Sequence, residues 1–492
     1  MGNPLIISQY FYAFPPKFLL SPAYRLTPYR RPLKNEFSMT SPPPTAPIDW
    51  DTFATSLGEI ETIREPNQLD KLSKDYYYFS PVLKAQLGDK VADIVARPKT
   101  EAEVLAVAKA CVQARIPLTV RGAGTGNYGQ AIPLEGGVIL DLSKMNAIKW
   151  MKPGLACVEP GAKLSAIDKK TRAMGWEIRM APSTYRTATM GGFIGGGSGG
   201  IGSITYGMLR DRGNLHAVRV VTMEDEPQVI ELRGDEVQKV NHAYGTNGII
   251  TALEIPLGPA YSWAELILSF DDFMTAARFG QMLGDSDGII KKLISIHAWP
   301  IPSYFAALQD YLPANKPCTL LMIAESCLEP FGELVKEFGG AITYQKTAEA
   351  ASKGTALAEF TWNHTTLHAR SVDPTLTYLQ TIFPADPELK LVEHLHHHFG
   401  DEVMMHLEYL RMNGVVIPAG LQVVRFTTTE RLNEIIRYHE EKGAFIANPH
   451  TYILEDGGRK MIDTEQVNFK ARLDPYGLLN PGKMRGWLER DT

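Results

Sequence analysis

Two glycine-rich segments constrain this chain more than any other feature. Residues 189–207 read TMGGFIGGGSGGIGSITYG, with nine glycines in nineteen positions, and residues 121–129 read RGAGTGNYG. Glycine permits positive φ angles and lets backbone N–H groups approach a ligand without an intervening Cβ. Each segment is therefore either a flexible linker or a loop that closes around a ligand, and the flanking sequence decides between the two.

The flanking sequence predicts regular elements on both sides of each segment. Strands are predicted over residues 117–121, 136–143, 155–161 and 247–257, and a hairpin over residues 216–232. A helix is predicted over residues 99–116, where Thr100 and Glu103 form a capping box, and another over residues 161–175, which ends at Gly175. Taken alone, either segment is still compatible with an ordinary turn or linker, and the order of the surrounding motifs decides between the interpretations.

The shorter segment matches neither of two common nucleotide-binding loops. No Gly-Lys-Ser/Thr follows RGAGTGNYG, which excludes a Walker loop. Its glycines are also misplaced for the dinucleotide fingerprint, which needs an acidic residue about 20 positions further on.

The order of motifs resembles the FAD-binding domain of the vanillyl-alcohol oxidase family, the PCMH-type fold, in its glycolate oxidase and D-lactate dehydrogenase-like branch. The resemblance covers about residues 90–260 and 468–484. The motifs are, in order, RGAGTGNYG, GVILDLSKMNAI, VEPGAKLSAI, APSTYRTATMGGFIGGGSGG, SITYGMLRD, YGTNGIITALEIPL and the closing segment KARLDPYGLLNPGK.

The resemblance implies an α+β fold with FAD stretched between two subdomains. The FAD-binding domain would span residues 46–260, an α/β sandwich cap that covers the substrate would span residues 261–467, and residues 468–492 would return to the first domain. Residues 1–45, which are rich in proline and tyrosine, are interpreted as a disordered extension.

The resemblance also assigns cofactor contacts to three places. These are Arg121, Gly122, Ala123, Gly124, Thr125, Gly126 and Asn127 around the pyrophosphate; Pro182, Thr189, Gly191, Gly192, Ser198 and Gly199 opposite them; and Gly248 and Ile250 at the adenine end. Many relatives that bind flavin covalently carry a histidine in the first loop, where this chain has Thr125. The flavin is therefore expected to be held without a covalent bond.

The cap contains one cluster suited to chemistry at a flavin, EFTWNHTTLHARSVDP at residues 359–374. A helix would place His364 and His368 on one face, where either could act as the base for a hydroxyl proton. Arg370 would bind a substrate carboxylate, because its guanidinium matches that group. The alternative is a solvated helix surface with Trp362 anchored in the core.

Three further segments carry candidate groups. In VEHLHHHFGDEVMMH, His398, Gly400 and Asp401 match only the start of a metal motif of the glycolate and lactate branch, so a solvated helix face is preferred and no metal is expected. In FIANPHTYILEDGG, a strand would aim His450 and Tyr452 at the cap–flavin junction. In LLNPGK, Asn480 and Lys483 either touch the flavin edge or only close the turn.

Composition narrows the possible partners and location. The net charge of −5 and the lack of a long basic stretch argue against nucleic acid, and no apolar run is long enough to span a membrane. Four scattered cysteines are typical of reduced thiols in a cytoplasmic protein.

The sequence thus predicts an FAD-dependent oxidoreductase that transfers a hydride from a small hydroxylated substrate, such as a 2-hydroxy acid, to flavin N5. The alternatives are oxidation of an alcohol, phenol or sugar, or a flavin-binding electron-transfer subunit. The electron acceptor (oxygen, a quinone or a cytochrome) and the oligomeric state stay open.

Overall fold

The computed structural model describes residues 47–351 and 353–490. The extension predicted at residues 1–45 lies outside the described residues. Within them the fold is α+β, as expected from the sequence. Within the described part, no helix is long and apolar enough to cross a membrane.

The first subdomain is a four-stranded sheet of order β1-β2-β4-β3, in which β2, β4 and β3 are parallel and β1 is antiparallel to β2. Its strands are β1 (Glu61–Ile63), β2 (Ile94–Arg97), β3 (Leu118–Arg121) and β4 (Val138–Asp141). Its helices are α1 (Trp50–Ser56), α2 (Pro66–Leu72), α3 (Pro81–Leu87) and α4 (Glu101–Ala114). The capping box predicted for α4 is confirmed, because Thr100 Oγ1 accepts from the Glu103 amide and Glu103 Oε2 accepts from the Lys99 amide.

The second subdomain is an antiparallel sheet of order β5-β6-β10-β8-β9, with β7 paired to β10. Its strands are β5 (Ile148–Lys152), β6 (Leu155–Val158), β7 (Trp176–Ile178), β8 (Ala217–Val221), β9 (Val229–Arg233) and β10 (Ile249–Pro259). Its helices are α5 (Leu164–Arg172), α6 (Met190–Gly196) and α7 (Ser203–Tyr206).

The longer glycine segment is not a loop throughout, which corrects the expectation from sequence. Helix α6 occupies its first part, because Met190, Phe193 and Ile194 recur at helical spacing and are buried in the core of the second subdomain. Helix α7 (Ser203–Tyr206) occupies most of its end, so the segment combines a loop with two short helices.

The cap is built on an eight-stranded antiparallel sheet of order β14-β11-β13-β12-β18-β19-β16-β21, beside a small sheet of order β15-β20-β17. Its strands are β11 (Trp263–Ser269), β12 (Lys291–His297), β13 (Cys318–Ala324), β14 (Ala341–Lys346), β15 (Leu376–Tyr378), β16 (Thr381–Ile382), β17 (Val403–Met404), β18 (His406–Met412), β19 (Val415–Gly420), β20 (Val423–Arg425) and β21 (Phe445–Ile446). Its helices are α8 (Phe273–Asp285), α9 (Leu328–Glu337), α10 (Ala348–Ala351), α11 (Asn363–Val372), α12 (Lys390–Phe399) and α13 (Thr429–Glu441).

The two faces of the cap sheet are covered differently. Apolar residues of α8, α9, α12 and α13 share one large core with inward side chains of the sheet. A second core holds Ile267 and Leu320 of the sheet, Phe305, Phe360 and, from α11, Ala369. Helix α11 therefore lies on the face opposite the four helices.

The chain then returns through α14 (Leu454–Gly457), α15 (Thr464–Leu473) and α16 (Arg485–Leu488). Phe469 and Leu473 join the core of the second subdomain, whereas Leu478 and Leu479 join that of the first. The Leu118 amide donates to Leu478 O at 2.8 Å, so the tail attaches to β3 just before the first glycine loop. The strand predicted around His450 is wrong, because residues 447–453 form turns and irregular backbone.

Candidate functional site

A single cavity of about 510 Å³ is lined by both glycine segments, by residues 240–250 and by residues 359–367 of the cap. This volume falls within the usual range for small-molecule and cofactor sites. Of the residues assigned to the cofactor from sequence, those that line it are Gly122, Ala123, Gly124, Thr125, Gly126, Asn127, Pro182, Thr189, Gly191, Gly192, Ser198, Gly199, Gly248 and Ile250.

Arg121 does not line the cavity; it lies buried beneath the first loop. Its guanidinium donates to Lys74 O at 2.7 Å and fills the space under Gly124, where an added Cβ would come within 2.1 Å of Arg121 Nη2. Gly124 has a φ of +66°, which a side chain would strain. Burial lowers the pKa of Arg121, and Asp75 and Asp141 act in the opposite direction. The residue supplies a cation below the loop rather than a ligand contact.

The backbone of the first loop is free to bind an anion. Within the described residues, none of the N–H groups of residues 122–127 donates a hydrogen bond. Consecutive unbonded N–H groups in a turn form an anion-binding nest, and the buried Arg121 adds positive charge beneath it. A pyrophosphate is a suitable ligand for this arrangement.

The second segment faces the first at close range. A Cβ added to Gly122 would lie 2.3 Å from Thr189 Oγ1, and one added to Gly191 would lie 2.6 Å from Pro160 Cβ. Thr189 Oγ1 is buried and finds no hydrogen-bond partner within the described chain. A buried polar atom without a partner, at the wall of a cavity, indicates a ligand that would satisfy it.

His242 adds a second unsatisfied group to the same wall. Its Nδ1 lies 2.8 Å from Gly197 O, whereas its Nε2 is buried without a partner in the described structure. Burial lowers the pKa of His242 to about 4, so the ring is neutral near pH 7. The nest, Thr189 and His242 together fit a bound FAD, whose diphosphate and ring system carry the acceptors and donors that these groups lack.

The cap contributes the N-terminal half of α11, and the residue before it, to the cavity wall. Trp362, Asn363, His364 and Leu367 all line it, so the cluster predicted at residues 359–374 does reach the site. Burial, with a smaller contribution from His368, lowers the pKa of His364 to about 4, while a hydrogen bond with the Glu359 backbone acts in the opposite direction. A neutral imidazole on the cavity wall can accept a proton.

The other three predicted catalytic residues lie outside the cavity. His368 shares α11 with His364 as expected, but its ring stacks on Phe360 and its Nε2 lies 3.0 Å from Glu359 O. The Arg370 guanidinium donates to Leu376 O and lies over the Phe79 ring.

His450 is buried between Ser80, which precedes α3, and Tyr378 of β15. Its ring nitrogens lie 2.8 Å from Ser80 Oγ and 2.9 Å from Tyr378 O, so both are engaged. His368, Arg370 and His450 thus contact packed structure and do not line this cavity; spacing along the chain did not reveal which way each side chain faces.

Arg186 was missed by the sequence reasoning. Among the described residues that line the cavity, it is the only arginine or lysine, and it forms an ion pair with Glu359 of the cap. The side chain of Arg186 is 54% exposed, so the pair is weak. Its position four residues after Pro182, in a stretch already assigned to the cofactor, was the available signal.

Asn480 and Lys483 close the first loop from behind. Neither lines the cavity; Asn480 donates to Gln130 O and Tyr244 O, and the buried Lys483 ammonium donates to the carbonyls of Gly129, Gln130 and Ile132. Of the two alternatives left open by the sequence, these contacts match closure of the turn.

The histidine run of the cap lies apart from the site. His398 stacks on Tyr438 at 4.2 Å between ring centroids, while His406 is buried in β18. The described residues contain no group of three or more His, Cys, Asp or Glu side chains arranged to hold a metal ion.

Comparison with known proteins agrees with this geometry. The FAD binding domain family matches residues 92–230. The glycolate oxidase subunit GlcD of Escherichia coli is 28% identical over 207 residues, which are 40% of this chain and 41% of that protein. GlcD of Bacillus subtilis is 24% identical over 432 residues, 80% of this chain and 88% of that protein.

The match to an FAD-linked oxidoreductase of Mycobacterium tuberculosis spans 40% of that protein's length, close to the 41% for GlcD of Escherichia coli. Among solved structures, an alkyldihydroxyacetonephosphate synthase superposes with a TM-score of 0.68 at 14% identity, over 91% of this chain and 89% of the other. Residues 92–230 thus match the FAD binding domain family, and the chain is similar in sequence to GlcD glycolate oxidase subunits and in fold to the synthase.

Proposed function

We propose that this protein is an FAD-dependent oxidoreductase that oxidises the CH–OH group of a small substrate, with 2-hydroxy acids as the favoured class. The observation that carries the proposal is that one cavity is lined both by the glycine segments and by His364 of the cap. Cofactor and proton acceptor would then meet the substrate in the same space.

Bound FAD supplies the hydride acceptor, its N5 atom. The chain supplies the proton acceptor, for which His364 is the candidate, because its lowered pKa keeps the ring neutral near pH 7. His364 would take the hydroxyl proton as the C–H bond breaks. The walls of the cavity would hold the substrate carbon in line and keep bulk water away.

Arg186 is the candidate group for a substrate carboxylate. It is the one lysine or arginine on the described cavity wall, and its exposed ion pair with Glu359 is weak enough for an incoming carboxylate to replace. The names of the GlcD relatives, glycolate oxidase subunits, support the same substrate class.

A second candidate is oxidation of an aromatic alcohol or phenol. Tyr76, Phe79, Tyr128 and Tyr244 line the cavity, and aromatic rings of this kind pack well against an aromatic substrate. The third possibility, a flavin-binding electron-transfer subunit, would use the same cofactor site with no substrate of its own.

We also propose non-covalent FAD, domain limits at residues 46–260, 261–467 and 468–492, and a cytoplasmic location. The lack of a histidine in the first loop supports non-covalent binding of FAD. The change of sheet between β10 and β11 supports the domain limit near residue 260. Four buried cysteines, all unpaired, suit a reducing compartment. Fluorescent flavin that stays with the chain on a denaturing gel would contradict non-covalent binding.

The experiment is anaerobic stopped-flow reduction of the purified yellow protein with a substrate panel. The panel contains both enantiomers of several 2-hydroxy acids, benzylic alcohols, para-alkyl phenols and sugars. Bleaching of the flavin band by a 2-hydroxy acid is the expected result. Bleaching by phenols alone would favour the second candidate, and reduction only by a partner protein would favour the third.

A further inference from the structure

The indole nitrogen of Trp362 is an unused hydrogen-bond donor on the cavity wall. Trp362 lines the cavity, and its Nε1 is buried without a partner in the described structure. An indole N–H can only donate, and a buried donor left unpaired is costly. A molecule that occupies the cavity can supply the acceptor.

The backbone of Trp362 is held in an unusual conformation. Its φ is +52° and its ψ is −139°, in the left-handed half of the map that bulky residues rarely adopt. Such a conformation persists only where the surroundings fix it, and it occurs preferentially at functional sites. Trp362 is also the residue immediately before α11, so its orientation sets the direction of the helix that carries His364.

Glu408 of β18 provides the fixing contact. Its buried Oε1 accepts from the Trp362 amide at 2.7 Å and from Ser295 Oγ at 2.7 Å, and it lies 2.9 Å from His406 Nε2. The sheet residue therefore joins the cap core to the first turn of α11.

The same network reaches α11 at a second point. The His297 and His406 rings stack at 4.4 Å, and His297 Nε2 lies 3.2 Å from Thr365 Oγ1. These side chains are fully buried and do not line the cavity. Their arrangement orients the residues that do, rather than contacting a ligand.

We propose that Trp362 Nε1 donates a hydrogen bond to a carboxylate oxygen of the substrate, next to Arg186, and that Glu408 is the positioning residue for Trp362. Glu359, the ion-pair partner of Arg186, precedes Trp362 by only three residues, which brings the cation and the indole to the same part of the wall. This inference rests on the proposed 2-hydroxy acid substrate. Trp362 would recognise the substrate through a hydrogen bond to its acceptor oxygen, whereas Arg186 would recognise its negative charge.

Two probes that cannot be oxidised separate these roles in the flavin-loaded protein. One is 2-hydroxy-2-methylpropanoate, which has no hydrogen on the carbinol carbon; the other is its uncharged amide, which keeps an acceptor oxygen. Binding is followed as a perturbation of the flavin absorbance. Trp362→Phe is expected to raise the Kd of both probes about tenfold, the contribution of one hydrogen bond. Arg186→Gln is expected to raise the Kd of the acid but to change that of the amide less than twofold.

Trp487→Phe is the matched control. Its indole Nε1 is also buried and unpartnered within the described chain, but it lies outside the cavity, among Tyr244, Leu454 and Met484. Both Kd values are expected to stay within twofold of the wild-type values. Unchanged Kd values in Trp362→Phe would overturn the proposal, as would a shifted flavin spectrum before any probe is added, which would indicate a contact with the flavin instead.

Glu408 is tested by rescue and by a double-mutant cycle. Glu408→Ala should weaken both probes, Glu408→Gln should restore them because its Oε1 still accepts from the Trp362 amide, and Glu408→Ala should add no further loss in the Trp362→Phe background. Additive losses would overturn the positioning role. If neither probe binds the wild-type protein and no 2-hydroxy acid bleaches it, the proposed substrate class fails and this inference fails with it.

Discussion

Gly122 and Thr189 bring the two glycine segments into contact, since a Cβ on Gly122 would lie 2.3 Å from Thr189 Oγ1. The absence of a side chain at Gly122 therefore allows the two segments of the protein to pack against each other at this point. By contrast, a Cβ on Gly195, which also lines the cavity, would meet no atom of the protein within 4 Å. Glycines of one segment thus have different physical roles.

Gly122→Ala is expected to separate the two segments and to lower the flavin content of the purified protein. The ratio of absorbance near 450 nm to that at 280 nm measures the loss. Gly332→Ala in α9 is the control, because its Cβ would meet no atom within 4 Å and alanine favours a helix by up to about 1 kcal/mol. Full flavin content in Gly122→Ala would contradict the close approach.

The pH profile of kcat/KM is expected to lack a limb at the ordinary histidine pKa. His364 must be neutral to accept a proton, and its pKa is lowered from 6.5 to about 4. The rate should therefore stay flat from about pH 8 down to pH 5 and fall only toward pH 4. An acid limb near 6.5 would exclude His364, as it stands here, as the base.

The same shift affects folding in a definite direction. Between about pH 4 and 6.5 the unfolded state binds more protons at this position than the folded state does. The stabilisation by the neutral ring is thus fully present above 6.5 and is lost as the pH falls toward 4. Thermal melting across this range, compared between wild type and His364→Ala, measures it.

His364→Ala is expected to lower kcat by about 10²–10⁴-fold, the usual contribution of a general base. Arg370→Ala, six residues further along α11, is expected to lower the melting temperature instead, because its guanidinium contacts Leu376 O and the Phe79 ring outside the cavity. Rates are normalised to bound flavin. Equal loss of kcat in both variants would place the chemistry elsewhere.

Lys483→Met is expected to loosen the first glycine loop, since Ile132 O would lose the ammonium donor, while Gly129 O and Gln130 O would keep only the Ile132 amide and Asn480 as donors. A buried group left unsatisfied costs about 1–3 kcal/mol. Urea unfolding and flavin affinity should both register the change. Lys336→Met, on the exposed surface, should leave both within about 0.5 kcal/mol of wild type.

The fold and the glycine segments that line the cavity were largely predictable because their signals are local. The capping box at Thr100 and Glu103 and the glycines of the first loop need only a few neighbouring residues to be read. Helix α6 escaped because glycine has low helix propensity, and only the burial of Met190, Phe193 and Ile194 stabilises it.

The substrate side was much less predictable because its contacts join distant parts of the chain. Glu408 fixes Trp362 across 46 residues, and Arg186 meets Glu359 from a position 173 residues earlier in the sequence. The His450 ring contacts Ser80 Oγ, 370 positions earlier. No pattern within a short window encodes which of several polar side chains will face a cavity.

The attachment of Lys483 to the carbonyls of residues 129–132 has a consequence for biosynthesis. The carbonyls beside the loop that would hold the diphosphate are synthesised 351 to 354 positions before the ammonium group that binds them. While the intervening residues are made, the nascent chain therefore holds a loop that lacks this attachment. Flavin uptake is accordingly expected to follow the synthesis of Lys483.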